Sequence, residues 1–161
     1  MQRELPYARV PSLAELADFE LAHHHAKTIA AAAPFEIGQW LALSAQQRNA
    51  LAFALHPSLR MLRLEWNAPQ IWQALVSGCD VPEPQQQAGY YGVYQQPDGV
   101  CVWRSIKPLE FAALESIYHG LRFAELVEEL GHLIDEDTSA GLTAEKFVLG
   151  WLEQGLLIPR S

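Results

Sequence analysis

Tyr90-Tyr91-Gly92-Val93-Tyr94-Gln95, then Gln96-Pro97-Asp98-Gly99, then Val100-Cys101-Val102-Trp103-Arg104-Ser105-Ile106: the reading of the fold turns on this stretch. Two runs rich in β-branched and aromatic residues flank four turn-forming residues, a pattern that predicts a β-hairpin. Three helices should follow. Pro108 suits a first helical position and leads Phe111, Leu114, Ile117 and Tyr118 to Gly120. Phe123, Leu126, Val127, Leu130, Leu133 and Ile134 recur at three-four spacing. In the last helix Thr143 is placed to cap, Leu142 to staple against Phe147, and Phe147, Val148, Trp151 and Leu152 to form the buried stripe before Gly155. Leu156 to Ile158 then read as a short strand. Hairpin, three helices and terminal strand together describe a winged-helix-like unit.

Upstream, Leu5 to Pro11 reads as an extended lead-in. Ser12 and Glu15 have capping-box spacing, and an apolar period from Leu13 predicts a helix to Ala33, stopped by Pro34. A second helix is expected from Ser44 through Leu51 and Phe53 to about Leu55. In Arg60-Met61-Leu62-Arg63-Leu64-Glu65-Trp66 the period drops to two, which predicts a half-buried strand. Asn67 is placed to cap a short helix carrying Ile71, Trp72, Leu75 and Val76 and ending at Gly78. Val81 to Gly89 has two prolines and no apolar period, so it reads as a linker or exposed loop. It divides the chain near residue 85, into 1–84 and 85–161, two parts able to share one core. The expected class is α+β: N-terminal helices and a strand packed on a small antiparallel sheet, with the winged-helix-like part at the C-terminus.

Composition bounds function. A chain of 161 residues, half of them apolar, can bury roughly 70% of its unfolded surface without disulfide or metal. Cys79 and Cys101 are its two cysteines, outside any C-x-x-C pair, and read as reduced thiols of a reducing compartment. No apolar run approaches the ~20 residues of a membrane span and no export signal is evident, so the expectation is a cytoplasmic protein without membrane partners. Eleven Lys and Arg against nineteen Asp and Glu leave a net charge of −8.

That charge decides between two uses of a winged helix. A DNA reader needs cations on its recognition helix. Here the last helix offers Lys146 and Gln154 but also Glu145 and Glu153, and the helix before it is acidic at Glu125, Glu128 and Glu129. A nucleic-acid regulator is therefore the alternative, and no nucleic-acid partner is expected. The favoured use is peptide recognition, in which an extended segment adds to an open strand edge and side chains beside it supply pockets. Tyr90, Tyr91, Val93, Val102, Arg104, Lys146 and Trp151 are the candidates for that groove, with Tyr91, Arg104 and Lys146 read as facing solvent. His23, His24 and His25 are consecutive on a helix and splay by about 100° each, so they do not converge on a metal. No nucleophile elbow, phosphate loop, dinucleotide fingerprint or H-E-x-x-H pair occurs. No catalytic residues, metal ligands or cofactor are assigned to this chain.

Leu55-His56-Pro57-Ser58-Leu59-Arg60-Met61-Leu62-Arg63-Leu64-Glu65-Trp66, with Pro69-Gln70-Ile71-Trp72 after it, resembles the "LHPSLRLLRL" signature of HvfC-type maturation proteins for ribosomally made, post-translationally modified peptides (RiPPs). The Leu16–Glu20 segment, Val102-Trp103-Arg104 and Trp151–Leu156 extend the similarity, which spans roughly residues 5 to 158. The resemblance implies a non-catalytic subunit that binds a precursor's leader through a RiPP recognition element-like part. It would present a cysteine-containing core to a TIM-barrel, multinuclear non-heme iron oxidase, the iron lying in that partner. Family members typically carry a further N-terminal helical domain, and this chain begins after the point where it would end. It is then either a shortened form or a compact branch, such as the partner subunits of the 3-thiaglutamate or methanobactin pathways, the former preferred. His56, Arg60, Arg63, Glu65, Trp66 and Trp72 are the candidate contacts with the oxidase, Arg and Trp being favoured at interface centres.

Overall fold

The computed structural model describes residues 10–161. In chain order the elements are α1 (Pro11–Thr28), α2 (Ile37–Ala42), α3 (Ala45–Ala50), β1 (Phe53–Leu55), β2 (Arg60–Trp66), α4 (Ala68–Ser77), β3 (Gln86–Gln95), β4 (Cys101–Ile106), α5 (Pro108–Tyr118), α6 (Phe123–Leu133), α7 (Ala140–Glu153) and β5 (Leu157–Pro159). The fold is α+β. Strands β2, β3 and β4 form an antiparallel sheet in that order, and β1 pairs separately with β5. Residues 5–9 of the expected lead-in lie outside the described residues.

The hairpin forms as its sequence requires. Gly99 closes the turn at φ +85°, a conformation that favours glycine, while Gln96 N–H bonds Val100 O and Val100 N–H bonds the Asp98 carboxylate. Along β3 the side chains alternate between two different cores. Tyr91 and Val93 join Leu64 of β2 under Phe19, Ala22 and Ala26 of α1. Tyr94 of β3 and Ile106 of β4 face Leu114 of α5, Leu126 of α6 and Trp151 of α7. The sheet is thus a middle layer, with α1 and α4 on one face and the C-terminal helices on the other.

Several boundaries differ from expectation for one recurrent reason: a distant partner takes the main chain. Helix α1 begins with Val10 at its cap, so Ser12 lies inside the first turn and makes no capping box. Glu15 instead reaches β2, where its carboxylate accepts the N–H of Glu65 at 2.8 Å and of Trp66 at 2.9 Å, beside an irregularity in the β2–β3 register. Glu15→Ala is expected to cost about 1–2 kcal/mol by leaving both donors without their charged acceptor. An unshifted urea midpoint would show that water replaces it. Helix α1 stops at Thr28, before Pro34, because the following segment extends to bond elsewhere: Ala32 N–H meets the His56 ring and Phe35 N–H meets Leu157 O.

The Ser44 capping box forms with Gln47, but α3 ends at Ala50 and Phe53–Leu55 is a strand, because β5 supplies its ladder a hundred residues on. Helix α2 adds to the expected elements. Its signal was Glu36 with Gln39, a capping box built on glutamate, and it carries the fully buried Trp40. Asn67 stands at the cap of α4 and its carbonyl accepts Ile71 N–H, but its side chain bonds the 83–85 loop and makes no capping bond to the helix. Gln86 to Gly89, read as linker, belong to β3 and pair with β2; no apolar period marks them, because residues 86–88 bury neither face. The sheet therefore runs across residue 85. Helix α7 starts three residues before Thr143, capped by Ser139, whose hydroxyl accepts Leu142 N–H.

Candidate functional site

The seven residues expected to line one peptide groove lie on both sides of the sheet. Tyr90, Val102, Arg104 and Trp151 are on the face covered by α5 to α7, whereas Tyr91 and Val93 are on the α1 face. Strand alternation forbids adjacent Tyr90 and Tyr91 from sharing a groove. Tyr91, read as facing solvent, is only 4% exposed because α1 covers it. Val93 and Trp151 are core as well. Tyr90 is half-buried against Phe111, with ring centroids 4.4 Å apart.

Arg104 is also committed internally. Its guanidinium is held by both carboxylate oxygens of Glu110, at 3.1 and 2.5 Å, and by Gln154 Oε1 at 3.0 Å. Trp151 Nε1 donates to the same Glu110 carboxylate at 2.9 Å. Burial pushes the Glu110 carboxyl up, but hydrogen bonds from Arg104 and Trp151 and the arginine's charge outweigh it and hold the group below its usual range. Of the seven, Lys146 on α7 remains freely exposed.

What stays open is the margin of the sheet. Among the described residues β4 pairs only with β3, so its outer edge offers unpaired main-chain donors and acceptors along Cys101–Ile106. Trp103 flanks that edge on one face, steadied by a 3.0 Å hydrogen bond from Nε1 to Gln73 of α4, and half-buried Val102 flanks it on the other. An extended peptide could add there as a fourth strand.

The residues expected at the oxidase interface also separate. His56 is buried beneath the turn from β1 to β2, with Ser58 Oγ 2.8 Å from Nδ1 and the main-chain N–H groups of Ala32 and Ser58 directed at its two ring nitrogens. An imidazolium, donating from both nitrogens, would oppose two fixed donors. Burial likewise lowers its pKa, so the ring is neutral and structural. Ser58 also accepts Gln95 N–H, tying the turn to β3. Arg63 and Glu65 are exposed, 4.0 Å apart, with Arg63 over the Tyr90 ring. Trp72 packs on the opposite face of the sheet, stacked on His23 at 3.8 Å, and Trp66 is half-buried. The expected continuous patch of Arg63, Glu65, His56 and Trp72 is thus divided by the sheet, leaving Arg60, Arg63 and Glu65 accessible.

One cluster had no sequence signal strong enough to single it out. His23 is 4% exposed, edge-on to Phe19, and its Nδ1 lies 3.5 Å from the thiol of half-buried Cys101. Burial raises the thiol's pKa, so it remains a donor. His23 Nε2 has no hydrogen-bond partner among the described residues, and burial lowers the ring's pKa to about 4, with Lys27 adding to the effect. A high thiol and a low imidazole cannot form the ion pair of a nucleophilic cysteine. Cys79 is exposed and unpaired by disulfide. Among the described residues no three His, Cys, Asp or Glu side chains converge on a metal position, and no helix is long and apolar enough to cross a membrane. Compared with protein-family models and with curated proteins, the chain matches none.

Proposed function

We propose that this chain is the recognition subunit of a RiPP-modifying complex, binding the leader of a precursor peptide and presenting its cysteine-containing core to a partner multinuclear iron oxidase. The observation that carries the reading is the open outer edge of β4, flanked by Trp103 and Val102 on a sheet whose two faces are already covered. Such an edge binds main chain, and a leader peptide is main chain without a fold of its own. The resemblance of the Leu55–Trp66 stretch supplies the class of partner. Reactivity then belongs to the oxidase.

Hydrogen exchange tests the edge. Amides of Cys101–Ile106 are expected to slow when the neighbouring precursor peptide is added, and protection falling elsewhere would overturn strand addition at β4. Co-purification tests the partner. Arg63→Glu is expected to abolish association with the oxidase while leaving the melting temperature unchanged, since the side chain is 71% exposed and exposed substitutions usually shift stability within about 0.5 kcal/mol. Undiminished association would remove this surface from the interface. Binding of duplex DNA with a steep salt dependence would favour the regulator instead.

A further inference from the structure

A groove of about 560 Å³ lies between the β1–β2 turn and the C-terminal end of α5. Its floor is apolar, with Leu55, Met61 and Ile117 among the residues lining it, and its rim is cationic. Arg60 enters from the start of β2 and Arg160 from beyond β5, against a single lining acid, Glu115. On a chain of net charge −8 this pairing is distinctive. Among the described residues the arginines that meet carboxylates are Arg48, Arg63 and Arg104; neither groove arginine does. Arg60 lies 3.3 Å from His25 Nδ1, a neutralising partner for neither.

Arg160 lies over the backbone of Gly120. Gly120, at φ +85°, ends the α5 turn, and a Cβ there would meet the Arg160 guanidinium at 1.7 Å. The guanidinium therefore rests on bare main chain at the mouth of the groove, a position that any side chain at 120 would take from it. His56 and His119 also line the groove, and the two guanidiniums, which stay charged throughout, are its fixed positive charges.

We propose that this groove binds an acidic, amphipathic segment of another polypeptide, its carboxylates on Arg60 and Arg160 and its apolar side chains on the floor. The volume falls within the ~300–1,000 Å³ of ligand pockets, room for a few residues of extended chain. A nucleic acid fits poorly, because it would continue past the groove over an acidic molecule, and its sugars gain nothing from an apolar floor. The inference rests on the reading above only in taking a polypeptide as ligand; the site is separate from the β4 edge and would give a bound chain a second point of attachment.

The test uses the full chain, labelled with 15N, titrated with the peptide Ac-Glu-Leu-Asp-Leu-Glu-NH2. Saturable shifts are expected at residues 55–61, 117–121 and 160, with at least tenfold weaker binding of the amide counterpart Ac-Gln-Leu-Asn-Leu-Gln-NH2. The double variant R60E/R160E is expected to bind the acidic peptide at least tenfold more weakly, and K107E, at an exposed position outside the groove, to bind it normally. Both arginines are exposed, so an unchanged spectrum elsewhere verifies the fold of the double variant. Equal affinity for the two peptides, no saturation at millimolar concentration, or succinate binding as tightly as the peptide would each overturn the site. Loss of precursor protection along β4 while the groove still takes the acidic probe would instead overturn the recognition-subunit reading alone.

Discussion

Glu110→Ala is expected to destabilise the protein by about 3 kcal/mol, because it strips two buried donors of one acceptor. The Glu110 side chain is 15% exposed and that of Arg104 28%, so neither is well solvated. Removing the carboxylate leaves a guanidinium largely inside the protein with only Gln154 and its neighbouring carbonyl, and leaves Trp151 Nε1 unbonded under α5. The pairing joins β4, α5 and α7, so the loss falls on the packing of the whole C-terminal face. Glu110→Gln separates charge from hydrogen bonding: an amide oxygen can still accept from Trp151, and a cost nearer 1–2 kcal/mol is expected. Urea denaturation followed by tryptophan fluorescence measures both. Equal midpoints for wild type and Glu110→Ala would mean that the pair contributes nothing net.

Acid should act through His23. Its folded pKa of about 4 lies below the 6.5 of an unfolded histidine, so as pH falls the unfolded chain takes up the proton first. The ring's contribution is complete above pH 6.5, declines between pH 6.5 and about 4, and is gone below; the span of about 2.5 pH units corresponds to about 3 kcal/mol. The cause is geometric. The ring is stacked on Trp72 and edge-on to Phe19, with Lys27 one turn along α1, and a proton there would add charge to a nearly closed aromatic box. His23→Phe keeps a flat ring against Trp72 and cannot titrate. The difference in stability between wild type and His23→Phe, measured from pH 7.5 to 4, is expected to shift by about 3 kcal/mol in favour of the variant. Parallel curves would show that the ring does not sense pH. His56, also lowered by burial, and Glu110, held low by its partners, act in the same direction but are common to both proteins and cancel.

Much of the fold was legible because local period and turn chemistry carry it. Alternation in Arg60–Trp66, the Gln96–Gly99 turn and the three-four spacing of Phe123, Leu126 and Leu130 each depend on residues within a few positions of one another. The candidate site was less legible. Tyr90 and Tyr91 look alike in a strand, and only parity and a covering helix tell them apart; with α1 on the second face, residues that a two-layer sheet would expose become core. Arg104 carries no mark in sequence of its acceptor, Glu110, six residues on across the junction of β4 and α5.

The amino-acid sequence by itself determined the hairpin, the β2 strand, the succession of C-terminal helices and the negative charge, since each is set by composition or short-range spacing. The tertiary structure decided that β4 lies at a margin of the sheet, that His23 and His56 are buried, and that Arg60 and Arg160, a hundred residues apart, share a groove. Those outcomes follow from long-range pairing of main chain and from which helix covers which face, and short-range pattern holds no information about either.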